Sequence, residues 1–309
     1  MNTTRRSFIK NSTVIIAGAA LLPHHSSTAA GKKLETLAIQ LYPFENEMFH
    51  DAKGTLTDLG KMGYKYVEHA NYTERTFYGY SPADFRKLLD DCGLTLLSGH
   101  TVLEMKHWNK PARHFIRDWH YTIEDAATAG QQYLITPWID RSIWNNEHSF
   151  RYFMDVFNKS GELCKRAGLQ FGYHNHDFEF THTLNSVRLY DIILQHTCRD
   201  LVFQQLDIAN LYQKGYSVND LFSRYPGRFQ LMHVKDLVES NDRHHPYKTV
   251  PLGQGYLNIS NSIEKGRQKG GTICFIIDQH KDISSDSIVC ARESCKSFSS
   301  ERISASTPT

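Results

Sequence analysis

The sequence predicts an α/β fold, a single (β/α)8 TIM barrel, and three observations carry that expectation. Strand-like and helix-like runs alternate about eight times from residue 36 onward, the pattern of βα repeats around a parallel sheet. No Pro/Gly/Ser-rich linker or low-complexity tract divides them, and 309 residues hold one barrel of roughly 250 with ease. Four of the apolar runs also close on a side chain that binds metals or moves protons. Gln170-Phe171-Gly172-Tyr173 leads to His174, and Val202-Phe203-Gln204-Gln205-Leu206 to Asp207. Phe229-Gln230-Leu231-Met232 leads to His233, and Ile273-Cys274-Phe275-Ile276-Ile277 to Asp278. Such barrels keep their chemistry at the C-terminal ends of the strands.

The elements follow in order. Thr36 to Leu41 reads as the first strand, followed by a helix near Thr55 to Met62, and Tyr64 to Glu68 as the second strand. Ser81-Pro82-Ala83-Asp84 opens the next helix with an N-cap serine, a proline at the first helical position and an acid at the third. It stops at Cys92-Gly93, where glycine suits a left-handed cap. Leu94 to Gly99 is strand three, ending on His100, and a long helix spans about Pro111 to Ala129. Strand four, Tyr133 to Thr136, ends before Pro137, which cannot donate to a ladder. A helix over Glu147 to Ala167 precedes strand five, and another over Ser186 to Gln195 precedes strand six. Val218 to Tyr225 leads to strand seven, then come a polar loop from Glu239 to Lys248 and the turn Pro251-Leu252-Gly253-Gln254-Gly255. A short helix, Ile259 to Gly266, precedes strand eight; the last helix covers Asp286 to Phe298, and Ser299 to Thr309 reads as frayed.

The first 30 residues stand outside this pattern. Thr4-Arg5-Arg6-Ser7-Phe8-Ile9-Lys10 is a twin-arginine motif, and the apolar run Val14 to Leu22 is far short of the ~20 residues that span a bilayer. Ser27-Thr28-Ala29-Ala30 supplies the small residues of a cleavage region. The expectation is a Tat signal over 1–30, a barrel domain over 31–309, and export to the periplasm with no stable membrane span after removal of the signal. The signal holds three bases and no acid, so the balance becomes 32 basic against 33 acidic residues. The basic excess thus belongs to the signal and speaks for no nucleic-acid partner. Six cysteines show no CxxC spacing, so buried thiols are expected rather than a structural zinc site.

Parity sharpens the strand ends, because strand side chains alternate faces. Gly172, His174 and His176 share a face, as do Phe203, Gln205 and Asp207; Leu231, His233 and Lys235; and Cys274, Ile276 and Asp278. Gly172 beneath His174 is expected to leave space inside the barrel. Two carboxylates with one or two imidazoles suit one divalent ion, Mn²⁺, Mg²⁺ or Zn²⁺. Gly253-Gln254-Gly255 is read as an ordinary turn before a phosphate cradle. Trp108, Trp138 and Trp144 fall in or near βα loops, where aromatics can stack on sugars.

Several stretches resemble the sugar isomerase/epimerase family with a xylose-isomerase-like TIM barrel, in its exported branch. They are Ile39-Gln40-Leu41-Tyr42, Gly63 to Glu68, Phe171 to Phe180, Leu206-Asp207-Ile208-Ala209-Asn210, His233-Val234-Lys235-Asp236 and Leu252 to Gly255. The resemblance implies one metal held by an acid after strand five, an aspartate after strand six, a histidine after strand seven and a glutamate after strand eight. Asp207 and His233 match. Strand eight departs, with Asp278 in place of glutamate, and the strand-five ligand is His174 or Glu179. The implied chemistry is proton transfer α to a carbonyl, with Asp278, Glu179 and His176 as catalytic candidates. Glu68, His100 and Lys235 resemble substrate contacts, although Lys235 suits a buried carboxylate at least as well.

The expected function is a metal-dependent isomerase or epimerase of a free sugar or keto-sugar, with homo-oligomerisation left open. The alternatives are a lyase of 3-keto-glycosides using the same enediolate chemistry, and a sugar-binding barrel without catalysis. A repair endonuclease of this fold is disfavoured by Asn210, where that branch carries a histidine.

Overall fold

Every second residue of the eight apolar runs must bury against its neighbours, and closing the sheet is how the fold achieves this. The computed structural model describes residues 36–243, 246–279 and 286–305. Eight strands form the barrel: β1 (Thr36–Gln40), β2 (Tyr66–His69), β3 (Thr95–His100), β4 (Tyr133–Thr136), β5 (Gln170–His174), β6 (Val202–Asp207), β7 (Leu231–Val234) and β8 (Cys274–Ile277). Each pairs in parallel with its sequence neighbours, and β8 closes on β1 with Thr36 opposite Cys274 and Ile39 opposite Ile277. One register shift separates β2 from β3, so that Glu68 lies opposite Ser98.

The inward faces follow the parity of the sequence. Ala38, Leu97, Ile135, Phe203, Leu231 and Ile276 fill the barrel as one buried cluster. The space expected beside Gly172 is filled instead. A Cβ there would stand 2.4 Å from the Phe203 ring, so the glycine is what admits that ring from β6.

Eight outer helices pack on the sheet: α1 (Glu45–Met62), α2 (Pro82–Asp91), α3 (Arg117–Thr128), α4 (Glu147–Arg166), α5 (Leu189–His196), α6 (Val218–Arg224), α7 (Ile259–Lys265) and α8 (Ser287–Ala305). Their local signals hold where they were strongest. Ser81 Oγ accepts from the Asp84 amide at 3.2 Å, and Asn146 Oδ1 from the Ser149 amide at 2.9 Å. Gly168 ends the α4 connection at φ 79°, a conformation that favours glycine.

Four further expectations are corrected. The helix placed from Pro111 starts at Arg117, because Trp108–Asn109 and His114–Phe115 pair as a hairpin turned through Arg113 at φ 54°. A helical stretch from Glu45 precedes the expected first helix and is separated from it by a kink at Asp51 (φ −149°, ψ 78°), with Met48 and Ala52 buried on the core face. Part of the polar loop after strand seven is a ribbon of Asp236–Glu239 against Tyr247–Val250. The last helix runs on to Ala305, with 306–309 outside the described residues. The Asp236 carboxylate accepts from the amides of Gly253, Gly255 and Leu257 at 2.9 to 3.1 Å, so the Gly253–Gly255 turn spends its donors on the chain itself. All six cysteines are free thiols. Among the described residues no helix is long and apolar enough to cross a membrane. The proposed signal and the Tat reading lie outside the described residues.

Candidate metal centre

The site is built on the inward parity of the strands, one step above the apolar filling. Glu68 from β2 lies at its base with no solvent exposure. Its Oε1 accepts from Gln40 Nε2 at 2.7 Å and His233 Nε2 at 2.6 Å. Its Oε2 accepts from Ser98 Oγ at 2.5 Å and Gln205 Nε2 at 2.6 Å. Burial alone would raise the Glu68 pKa, but His100 and His233 outweigh it and hold the carboxyl well below the usual range. The group is therefore an anion, and an acceptor only.

That fixes the orientation of everything around it. Gln205 must donate its amide to Glu68, which turns its Oε1 toward two imidazoles, His100 Nε2 at 2.7 Å and His174 Nδ1 at 2.9 Å. Both ring nitrogens therefore carry the proton. For His174, burial first and then His233 and His100 push the pKa well below the ordinary value, so the ring is neutral and its Nε2 presents a lone pair. That Nε2 lies 3.9 Å from Asp207 Oδ2. His233 likewise donates Nε2–H to Glu68, and its Nδ1 is turned to Asp278 Oδ2 at 3.2 Å.

Asp207 ends β6 and caps the short helix Ile208–Tyr212, its Oδ1 accepting from the amides of Ala209 and Asn210. Its Oδ2 lies 2.8 Å from Lys235 Nζ, and the same ammonium donates to Asp278 Oδ2 at 2.7 Å. Burial opposes charge on Lys235, and the two carboxylates overcome it and raise its pKa. His233 behaves alike: burial disfavours its charge, while Glu68 and Asp278 raise it to about 9. The anionic cluster thus draws positive charge onto itself.

This chemistry fits a divalent cation. Ligand atoms of Asp207, His233 and Asp278 lie within 4.8 Å of one another, all three residues buried, and His100, His174 and His233 form a second such group. Carboxylate oxygens with imidazole nitrogens suit Mn²⁺, Mg²⁺ or Zn²⁺, and His233, charged without the ion, would release its Nδ1 proton on binding one. Buried partners that orient each imidazole, as Glu68 and Gln205 do, are what metal-binding histidines require.

Glu179 is not brought to this cluster. It is the second residue of the short helix Phe178–Thr181, which aims it back at the outer face of β5. There it accepts from Tyr173 Oη and from the His176 amide, and Tyr173 packs on Phe157 of α4. Of the two strand-five candidates, the structure places His174 among the other donors. Burial raises the Glu179 pKa to about 8. His176 stands at the rim, its ring 5.2 Å from that of His174, and its buried Nδ1 has no hydrogen-bond partner. Glu68, taken from the sequence as a substrate contact, has all its acceptor positions engaged by the chain. His100 remains partly exposed beside it, and Lys235 pairs with carboxylates. Gln40, Ser98 and Gln205 were not singled out, although the parity that selects Asp207 also places Gln205 on the inner face.

Fold and site together define a (β/α)8 barrel with a buried cluster of histidines and carboxylates at the C-terminal ends of its strands. The chain belongs to the xylose isomerase-like TIM barrel family, whose profile matches residues 56–286. A sugar phosphate isomerase/epimerase from Parabacteroides distasonis is 25% identical to it, over 88% of this chain and 94% of that one, at a TM-score of 0.72. A xylose isomerase-like TIM barrel protein from Mycobacterium smegmatis in complex with magnesium is similar in fold, at 15% identity and a TM-score of 0.63 over 89% and 98% of the two chains. In sequence, inosose dehydratase of Clostridium perfringens is 26% identical over 102 residues. That match spans 33% of this chain and 33% of the dehydratase.

Proposed function

We propose that the protein is a divalent-metal-dependent isomerase or epimerase that moves a proton at the carbon α to a carbonyl of a free sugar or keto-sugar. The observation that carries this reading is the clustering of Asp207, His233 and Asp278, with His174 Nε2 3.9 Å from Asp207 Oδ2 and both imidazoles oriented through Glu68 and Gln205. Asp207, His233 and Asp278, with His174 as the fourth, would hold Mn²⁺, Mg²⁺ or Zn²⁺; the magnesium complex of the Mycobacterium smegmatis neighbour supports this assignment. When bound, the ion supplies Lewis-acid polarisation of the carbonyl and charge against its developing oxyanion.

The chain's own residues divide the remaining work. Asp278 is the strand-end carboxylate in register to take the proton and return it, and Lys235 steadies its Oδ2. His176 offers its unpaired Nδ1 to a substrate hydroxyl, and burial keeps that ring neutral by lowering its pKa to about 4. Glu68 and Gln205 hold imidazoles in place and touch no substrate. One proton carrier is enough for isomerisation on a single face. Epimerisation needs a second on the opposite face, for which His176 is the candidate. Export by the Tat route to the periplasm belongs to this proposal and rests on the residues around Arg5 and Arg6.

A second reading shares the first proton transfer. A β-substituent leaves the enediolate, which makes the protein a lyase, for example of 3-keto-glycosides, and the partial match to inosose dehydratase favours it. Incubation with keto-sugars in deuterated buffer tests both. Deuterium at carbon α of an intact sugar, abolished by chelator and restored by Mn²⁺, supports the isomerase; an unsaturated ketone with a released substituent supports the lyase. Bound metal with neither product leaves a sugar-binding barrel.

A further inference from the structure

Beside the metal centre, the loops after β4 and β5 enclose a cavity of about 600 Å³. Its walls include Trp138, Arg141, Trp144, His176, Phe178 and His182. His176 belongs to both places. Its ring lies 5.2 Å from that of His174 on one side and 5.5 Å from that of Trp138 on the other, so it links the cavity wall to the donor cluster.

The walls are built rather than incidental. Trp144 stacks on Phe178 with centroids 3.8 Å apart and planes 12° from parallel, and its Nε1 donates to the Ile139 carbonyl at 3.0 Å. Trp138 meets Phe178 at 5.2 Å and Trp144 at 5.8 Å. The turn bearing Arg141 is capped by Asp140, whose Oδ1 accepts from the Ser142 amide at 2.7 Å. Arg141 extends its guanidinium over both indoles, 5.8 Å from Trp138 and 5.5 Å from Trp144. The Asp177 carboxylate on the far wall is held by Lys214 at 2.9 Å. The partly exposed Trp138 ring, backed by Trp144 and bordered by hydrogen-bonding groups of both polarities, matches a pyranose ring, whose C–H faces are apolar and whose hydroxyls point outward at the edge. A cavity within the range of about 300–1,000 Å³ typical of small-molecule sites has room for such a ring.

We propose that this cavity is a second carbohydrate subsite, so that the substrate is a glycoside with its reacting ring at the metal centre and its second ring against Trp138. The inference rests on the sugar-directed reading above and narrows it from free monosaccharides to two-ring substrates. His176, shared by both places, then stands beside the bond that joins the rings, where its unpaired Nδ1 can meet the bridging or a neighbouring oxygen.

Calorimetric titration of the full-length protein loaded with Mn²⁺ tests this, using glucose and galactose against cellobiose, maltose, gentiobiose and lactose. The proposal expects at least one disaccharide to bind about tenfold or more tighter than its monosaccharides, the gain of one or two stacking contacts. Trp138→Ala should cancel that gain and leave monosaccharide binding unchanged. Arg141→Ala, at an exposed position that the fold tolerates, should reduce the gain several-fold. Monosaccharides that bind as tightly as every disaccharide would overturn the subsite while the sugar-directed reading stands. A gain that survives both substitutions would also overturn it. Failure of every sugar to bind would overturn both readings.

Discussion

Glu68 and His233, 165 positions apart in the chain, are joined by a 2.6 Å hydrogen bond across the barrel interior. Two strands separate β2 from β7 in the closed sheet, so the bond exists only because the barrel closes. It decides which nitrogen of His233 faces Asp278. Replacing Glu68 by Gln leaves a group that can donate where it must accept, and frees the imidazole to turn. Partners that orient a ligand in this way are worth about 10–100-fold in metal affinity. Titration of the Glu68→Gln variant with Mn²⁺ should show a loss of that size with the fold intact. Unchanged affinity would mean that Glu68 only fills space.

Lys235 bridges Asp207 and Asp278 from a buried position. Lys235→Met removes the cation and leaves both carboxylates, and uncompensated buried charge costs about 3–5 kcal/mol. In chelator, the variant should unfold at a clearly lower temperature than the wild type. Added Mn²⁺ should then recover more stability in the variant than in the parent. Equal stability of the two proteins in chelator would show that Lys235 is not neutralising this pair.

Glu179 gives a stability signature outside the donor cluster. Burial raises its pKa to about 8 from an ordinary 4.5, so the folded protein keeps a proton that the unfolded chain releases. Its contribution is intact below the unfolded value and is lost as pH rises through the folded one, at up to about 1.4 kcal/mol per pH unit. Denaturant unfolding between pH 5 and 8 should therefore show a steeper fall in the wild type than in Glu179→Gln, which carries no titrating proton. Parallel curves would place the Glu179 carboxyl in water.

Gly172 is paired closely with Phe203, and there is no room for even one methyl group between them. Gly172→Ala should cost about 1–3 kcal/mol in chemical unfolding, the usual penalty of an overfilled core. A neutral substitution would show that the ring can move aside.

The barrel was legible because its inner and outer faces are written as period-two alternation, and period two survives any choice of loop. Ile135, Phe203, Leu231 and Ile276 all face inward as that alternation requires. The ends of Asp207, His233 and Asp278 were legible for the same reason. What the sequence hid was pairing across the interior. Nothing local says that Gln40, Ser98 and Gln205 all donate to Glu68, because those contacts are set by barrel closure and by the one-residue shift between β2 and β3. The choice between His174 and Glu179 was hidden too, because it turns on a four-residue helix too short to leave a periodic trace. The hairpin before α3 was missed because its charged and aromatic residues also fit a helix, and only Arg113 at positive φ sets the turn.

The central claim is that Asp207 and His233 hold a divalent ion, and elemental analysis after dialysis against metal-free buffer tests it most directly. Wild-type protein reconstituted with Mn²⁺ should retain about one ion per chain, and folded Asp207→Asn and His233→Gln should each retain almost none. Retention of the ion by both variants at the wild-type level would contradict the account.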